Sequence, residues 1–214
     1  MYKLVIMVER ISYNERPNVY NVDRLLGVFF VTVNFGIDQS DEGYSCYSLS
    51  IGKGSAEPTA ESIIDRINEI GLISELRVSE LMELMERTGC DDKLSLVKRW
   101  ATQRIRSYDS SEAVNQFSIN GSPMWLDKAT RAGLKLRLEA EQASGKENTT
   151  LWYGTEAITL PVSNAIIMLN MLEIYASESY DVTQGHLARV DLMESVEDVL
   201  GFDIKADYPD KITF

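Results

Sequence analysis

His186 is the only histidine in the chain, so a Ser-His-Asp triad, a His-ligated zinc or a histidine general base would each have to be built around it. A thiolate site would need Cys46 and Cys90 to converge on it from the other half of the sequence. The expected role is instead a capping or helix-surface histidine. Carboxylates are plentiful. Glu139 and Glu141 fall on different sides of a helix, while Glu194 and Asp198 share a side. Nothing in either spacing marks the desolvated pair that glycoside hydrolysis or metal binding requires. Asp203, Asp207 and Asp210 are too sparse for an EF-hand loop and lack its central glycine. GKGSAEPT (52–59) precedes a helix but fails the P-loop spacing, and a turn from strand to helix explains it. These residue types define no catalytic, cofactor-binding or metal-ligating set, and no enzyme is expected.

Charge narrows the field further. The 214 residues carry 21 Lys+Arg and 33 Asp+Glu, a formal net charge of −12. A nucleic-acid binder neutralises phosphates with a basic patch, and the balance here runs the other way. Lys93, Lys98, Arg99, Arg104 and Arg106 form a basic cluster, which at helical spacing reads as a solvated helix face. Residues 1–106 hold 13 basic and 16 acidic side chains, and residues 107–214 hold 8 and 17, so two regions with different surfaces are expected. The two cysteines lie outside any CxxC spacing and read as buried free thiols in a reducing cytoplasm. MYKLVIMVER alternates like a strand rather than a signal peptide, and no window reaches about 18 uninterrupted apolar residues, so a soluble protein without membrane insertion is expected.

The elements that must position any site follow from periodicity. Tyr2, Leu4, Ile6 and Val8 alternate as a first strand; GVFFVTVNFG (27–36) and YSCYSLSIG (44–52) read as two more, with DQSDEG as the turn between them. Thr59 caps a helix whose Ile63, Ile67 and Ile70 share a side, with Gly71 as its stop. Ser79 caps a second helix, and Asp91 or Asp92 a third with Leu94, Val97, Trp100 and Ala101 inward. The polar DSSEAVNQ (109–116) marks a boundary. Beyond it FSINGSPMWL is a hairpin around Asn120-Gly121, and Asp127 caps a helix in which Ala129, Gly133, Leu136 and Ala140 fall in line. TTLWYG and EAITLP form a strand pair turning at Gly154. A long helix follows with Ala165, Met168, Leu169, Leu172 and Tyr175 on its apolar face, continuing past Gly185. Ser195 caps a last short helix closed by Gly201, and the tail is extended and acidic. The fold class is α+β: a small antiparallel N-terminal sheet with covering helices over 1–108, then a ββ-α-ββ-α-α domain over 109–214. Trp125 and Trp152 fall where a helix must pack on a sheet and are expected as core aromatics.

The C-terminal half also carries a family resemblance. DSSEAVNQFSINGSPMWLDKATRAGLKLRLEAEQASGKENTTLWYG, ITLPVSNAIIMLNMLEIYASESYDVTQGH and VEDVLGFDIKADYP resemble a domain family, with no established activity, of tailed bacteriophages and of prophages in gut Bacteroidales. The shared elements are Trp125 to Arg131, Thr149 to Gly154, Met168 to Ala176, Tyr180 with Thr183 and His186, and Tyr208-Pro209. The resemblance implies a phage context, often near tail and tail-fibre genes, and supplies no catalytic residues. It leads to the expectation of a structural or adaptor protein of the tail or its fibre attachment, made in the bacterial cytoplasm and held in the virion. Its partners would be other virion proteins in an oligomeric or larger assembly. A tail-fibre assembly chaperone is the alternative. A glycan-processing tail enzyme using Glu139 and Glu141 is the third.

Overall fold

In the computed structural model, residues 8–25, 28–54, 56–153 and 155–214 are described. They form an α+β fold divided into two compact units, one reaching to Ser107 and adding Val190–Phe202, the other comprising Tyr108–Arg189 and Asp203–Phe214. The sequence boundary at 108/109 lies one residue past the structural one, and Val190–Phe202, assigned there to the second region, belongs to the first unit. Counted by unit, the first holds 13 basic and 20 acidic residues and the second 8 and 13. The expected charge asymmetry therefore disappears, and both units are acidic.

The first unit is built on a four-stranded antiparallel sheet of order β1-β4-β3-β2, with β1 at Val8–Tyr13, β2 at Tyr20–Leu25, β3 at Val28–Ser40 and β4 at Gly43–Gly54. Three strands were expected. The strand missing from that reading is β2, an edge strand whose sequence, YNVDRL, lacks the run of β-formers that marks β3. Tyr2, Leu4, Ile6, Gly27 and Gly154 lie outside the described residues. The expected DQSDEG turn shrinks to Asp41-Glu42, because β3 and β4 pair as far as Ser40 and Gly43. Helices α1 (Ala60–Glu69), α2 (Val78–Arg87) and α3 (Lys93–Asp109) contribute Ile63, Ile67, Leu81, Leu84, Val97 and Trp100 to the core, against sheet residues such as Val33, Phe35 and Leu49. Each such burial stabilises the fold by about 1.5–3 kcal/mol.

Local hydrogen bonds set where these helices begin. Thr59 accepts from the Ser62 amide at 3.2 Å, as its position predicts. For α2 the start is Arg77, not Ser79, because Glu80 reaches back to the Arg77 amide at 2.8 Å. The same buried carboxylate accepts from the amides of Gly36 and Ile37 at 2.9 and 2.8 Å. A register shift between Phe35 and Asp38 leaves Gly36 at φ +62, so the chain bends there and offers both N–H groups to α2. A Cβ on Gly36 would lie 3.2 Å from the Glu75 carbonyl and from the Tyr47 ring.

In the second unit, α4 (Glu112–Asn115) occupies what reads in sequence as a bare boundary. It is followed by the β5-β6 hairpin (Phe117–Ile119, Ser122–Met124), with Asn120 at φ +50 and Gly121 at +82 in its turn. Helix α5 (Lys128–Ala143) starts at the Asp127 cap, 2.9 Å from the Thr130 amide. The hairpin of β7 (Asn148–Tyr153) and β8 (Glu156–Pro161) leads into α6 (Val162–Leu192), whose five expected apolar positions are all buried. The face of α5 is corrected: Ala129, Gly133, Leu136 and Ala140 are exposed, and Leu138 is buried with Leu134 packed beside it. The extended tail runs parallel to β5 through a Ser118–Thr213 bridge, the Phe214 amide donating to the Ser118 carbonyl at 2.9 Å and the Ser118 amide to the Ile212 carbonyl at 3.1 Å. Ile212 and Phe214 join the core of Phe117, Met124, Leu138, Leu151 and Leu169. In the first unit Ser195 caps α7 (Val196–Gly201), accepting from the Asp198 amide at 3.1 Å.

Candidate functional site

His186 is buried, 1% exposed, and so is not the surface histidine its helix suggested. The tail folds over that part of α6: Tyr208 meets the imidazole edge-on at 5.6 Å, and its hydroxyl lies 2.8 Å from Thr183 Oγ1, which donates to Asp109 at 2.8 Å. Burial pushes the His186 pKa down, helped by the Arg189 charge and opposed by Asp207, the Ile204 backbone and Asp203. The imidazole packed on Tyr208 ties the tail to the helix.

The candidate acids separate in the same way. Glu141 turns inward, where Lys146, Thr149 and Arg137 hold its pKa down to about 2. Its Oε1 lies 2.8 Å from Lys146 Nζ and 3.1 Å from Arg137 Nε, so at neutral pH it is a paired anion without a proton to donate. Glu139 is exposed on the other side of α5. Glu194 and Asp198 are exposed at the start of α7. Asp203 accepts from the Lys205 amide at 2.9 Å, and Asp207, at φ +64, pairs with Arg189 at 3.5 Å. Among the described residues no three His, Cys, Asp or Glu side chains come together as a metal site. Cys46 is buried, which pushes its thiol pKa up; Cys90 is half-buried, and both are free. The basic cluster is not a bare solvated face. Arg99 pairs with Glu61 and Asp65, Lys98 donates to the Asp191 carbonyl at 2.7 Å, and Arg104 stacks over the Trp100 ring at 4.8 Å.

The tryptophans are where the structure departs most from expectation. Trp100 is the core indole. Trp125 is 38% exposed and Trp152 is 68% exposed. A two-stranded ribbon can bury only one of its faces. Register assigns Thr149 and Leu151 to the buried side, leaving Trp152, opposite Ala157, on the outer one. Arg137 of α5 ties the ribbon down by donating to Thr149 Oγ1 and the Thr150 carbonyl at 2.7 Å each.

A second apolar feature went unread in the sequence. Behind the buried face of α6 runs an exposed stripe of Ile167 (57%), Met171 (43%) and Ile174 (60%) at i, i+4 and i+7. It borders a groove of about 410 Å³ lined by Ile119, Leu151, Ile158, Leu160, Met168 and Phe214. Its residues lie within IIMLNMLEI, interleaved with the buried Met168, Leu169 and Leu172, so spacing alone does not separate the two faces. A smaller cavity of about 160 Å³ beside Asp109, Arg131 and Ser179 carries charges that are already engaged, Arg131 with Glu173 at 2.7 Å and Asp109 with Thr183. The arrangement offers the second unit apolar surface for contact, with its inward-facing acids tied to cations or hydroxyls. No protein-family model, no curated protein and no solved structure matches the chain.

Proposed function

We propose that the chain is a non-enzymatic structural or adaptor protein of a tailed-phage particle, in the tail or its fibre attachment, acting by docking on neighbouring protein subunits. The observation that carries this reading is the outward placement of large apolar side chains on the second unit, from Trp152 and Leu136 to the Ile167–Ile174 stripe. Apolar patches on one part of a molecule mark contact surfaces, and tryptophan is among the residues that dominate binding energy when a partner covers it. The phage context rests on the WLDKATR, TTLWYG and ML..LE.YA motifs. Those motifs supply the β6–α5 junction, the exposed-indole strand and the central helix of one unit. The acidity of both units favours protein partners over nucleic acid.

Quantitative mass spectrometry of purified particles tests the proposal. The expected result is a fixed copy number relative to the tail proteins. Absence from particles, with abundance in lysates during assembly, would replace it with the chaperone reading. Hydrolysis of host capsular glycan that Glu139→Gln or Glu141→Gln abolishes would replace it with an enzyme.

A further inference from the structure

We infer that the groove beside β8 captures an extended segment of a partner protein, which adds to β8 as a further strand and carries alternating apolar residues between basic ends. This deepens the docking role proposed above and rests on it. The backbone of β8 carries the inference. The Val162 amide donates to the Glu147 carbonyl at 2.9 Å, just beyond the ribbon. Counted in twos from that bond, Thr149–Leu160 and Leu151–Ile158 are the hydrogen-bonded pairs of the ribbon, and Thr150–Thr159 and Trp152–Ala157 are the pairs between them. The N–H and C=O groups of Ala157 and Thr159 therefore point away from β7. Both residues are exposed, and among the described residues no backbone or side-chain group bonds those four groups. An open edge of this kind is a template for another strand.

The groove of about 410 Å³ lies along that edge. Thr159 turns its side chain to the outer face, where its hydroxyl lies 2.9 Å from that of Thr150, yet it lines the groove between Ile158 and Leu160, and so contributes its backbone. Met168, Met171 and Phe214 supply apolar lining. The occupant must satisfy both surfaces. A helix laid here would cover the methionines but strip water from the edge groups without replacing its hydrogen bonds. An extended peptide bonds the edge with its own backbone and sets every second side chain on the apolar lining. Charge selects its ends. Between Lys146 and Arg189 the sequence holds Glu147, Glu156, Glu173, Glu178 and Asp181 and no Lys or Arg. Glu173 is paired with Arg131, and the remaining carboxylates favour lysine or arginine at the ends of an incoming strand.

The test is an NMR titration of the full, isotope-labelled chain with a capped peptide of alternating isoleucine and threonine between lysine pairs. Binding should saturate, with amide exchange at Ala157 and Thr159 slowed at least tenfold. Thr159→Pro removes one outward N–H while leaving the bonds to β7 in place, and should raise the dissociation constant at least tenfold. Thr159→Val keeps that N–H, drops the hydroxyl and should bind like wild type. Met171→Ser, at an exposed position of the groove, should weaken binding severalfold even if the proline variant disturbs the ribbon. The same peptide with glutamate ends should bind at least tenfold more weakly at low salt. Failure of the lysine-ended peptide to bind, equal binding by a folded Thr159→Pro, equal binding of the glutamate-ended peptide, or tighter binding of an amphipathic helical peptide of the same charge each overturns the inference. None of these results bears on the virion role, which the copy number in particles decides separately.

Discussion

At the scale of the residue, His186 shows how one long-range contact changes a side chain's role. Its folded-state pKa lies below the ordinary 6.5, chiefly through burial, so the fold disfavours the charged ring. The sign follows from linkage: the unfolded chain binds the proton more readily, so stability is complete above about pH 6.5 and is lost as pH falls through the folded value. The melting temperature of wild type should drop more between about pH 7.5 and about pH 5.5 than that of His186→Gln, which has nothing to titrate there. Parallel curves would contradict this. The histidine itself was plain in the sequence, but the return of Tyr208 from the tail to cover it was not. Glu80 was hidden for a similar reason. Its value lies in three amides, two of them on a strand more than forty residues away, and no local spacing announces a carboxylate aimed at a β-bulge.

At the scale of the element, the readings that held depend on neighbours in sequence. The caps at Thr59, Asp127 and Ser195 and the Asn120-Gly121 hairpin are each decided within four residues. The readings that failed depend on partners elsewhere. Strand β2 exists because β3 is there to pair with it. Helix α5 carries leucines at 134, 136 and 138, spread around its axis, and small residues along one line, so periodicity alone did not choose a face. The choice follows from the ribbon, through the bonds of Arg137 to Thr149 and of Lys146 and Arg137 to Glu141. Two substitutions separate the faces. Leu138→Ala should cost about 2–5 kcal/mol in urea denaturation, since it opens a cavity in the core. Leu136→Ala should stay within about 0.5 kcal/mol. Equal losses would return the inward face to the line through Leu136.

At the scale of the whole molecule, two acidic units share the chain, and 190–202 returns to the first before 203–214 completes the second. The α+β class was legible because strands and helices alternate with distinct periods. Which apolar residues would be left outside was not, because a helix or ribbon with apolar residues on more than one side gives no sign of which side the core will take. That surplus, Trp152 above all, is what makes docking the reading of function. Cross-linking mass spectrometry of intact particles with a lysine-reactive reagent tests it most directly, since Lys128, Lys135 and Lys146 are exposed around α5. The expected result is cross-links from these lysines to a different virion protein, reduced when Trp152→Ala is assembled in place of wild type. Particles in which these lysines link only within the chain, or to nothing, would contradict the account.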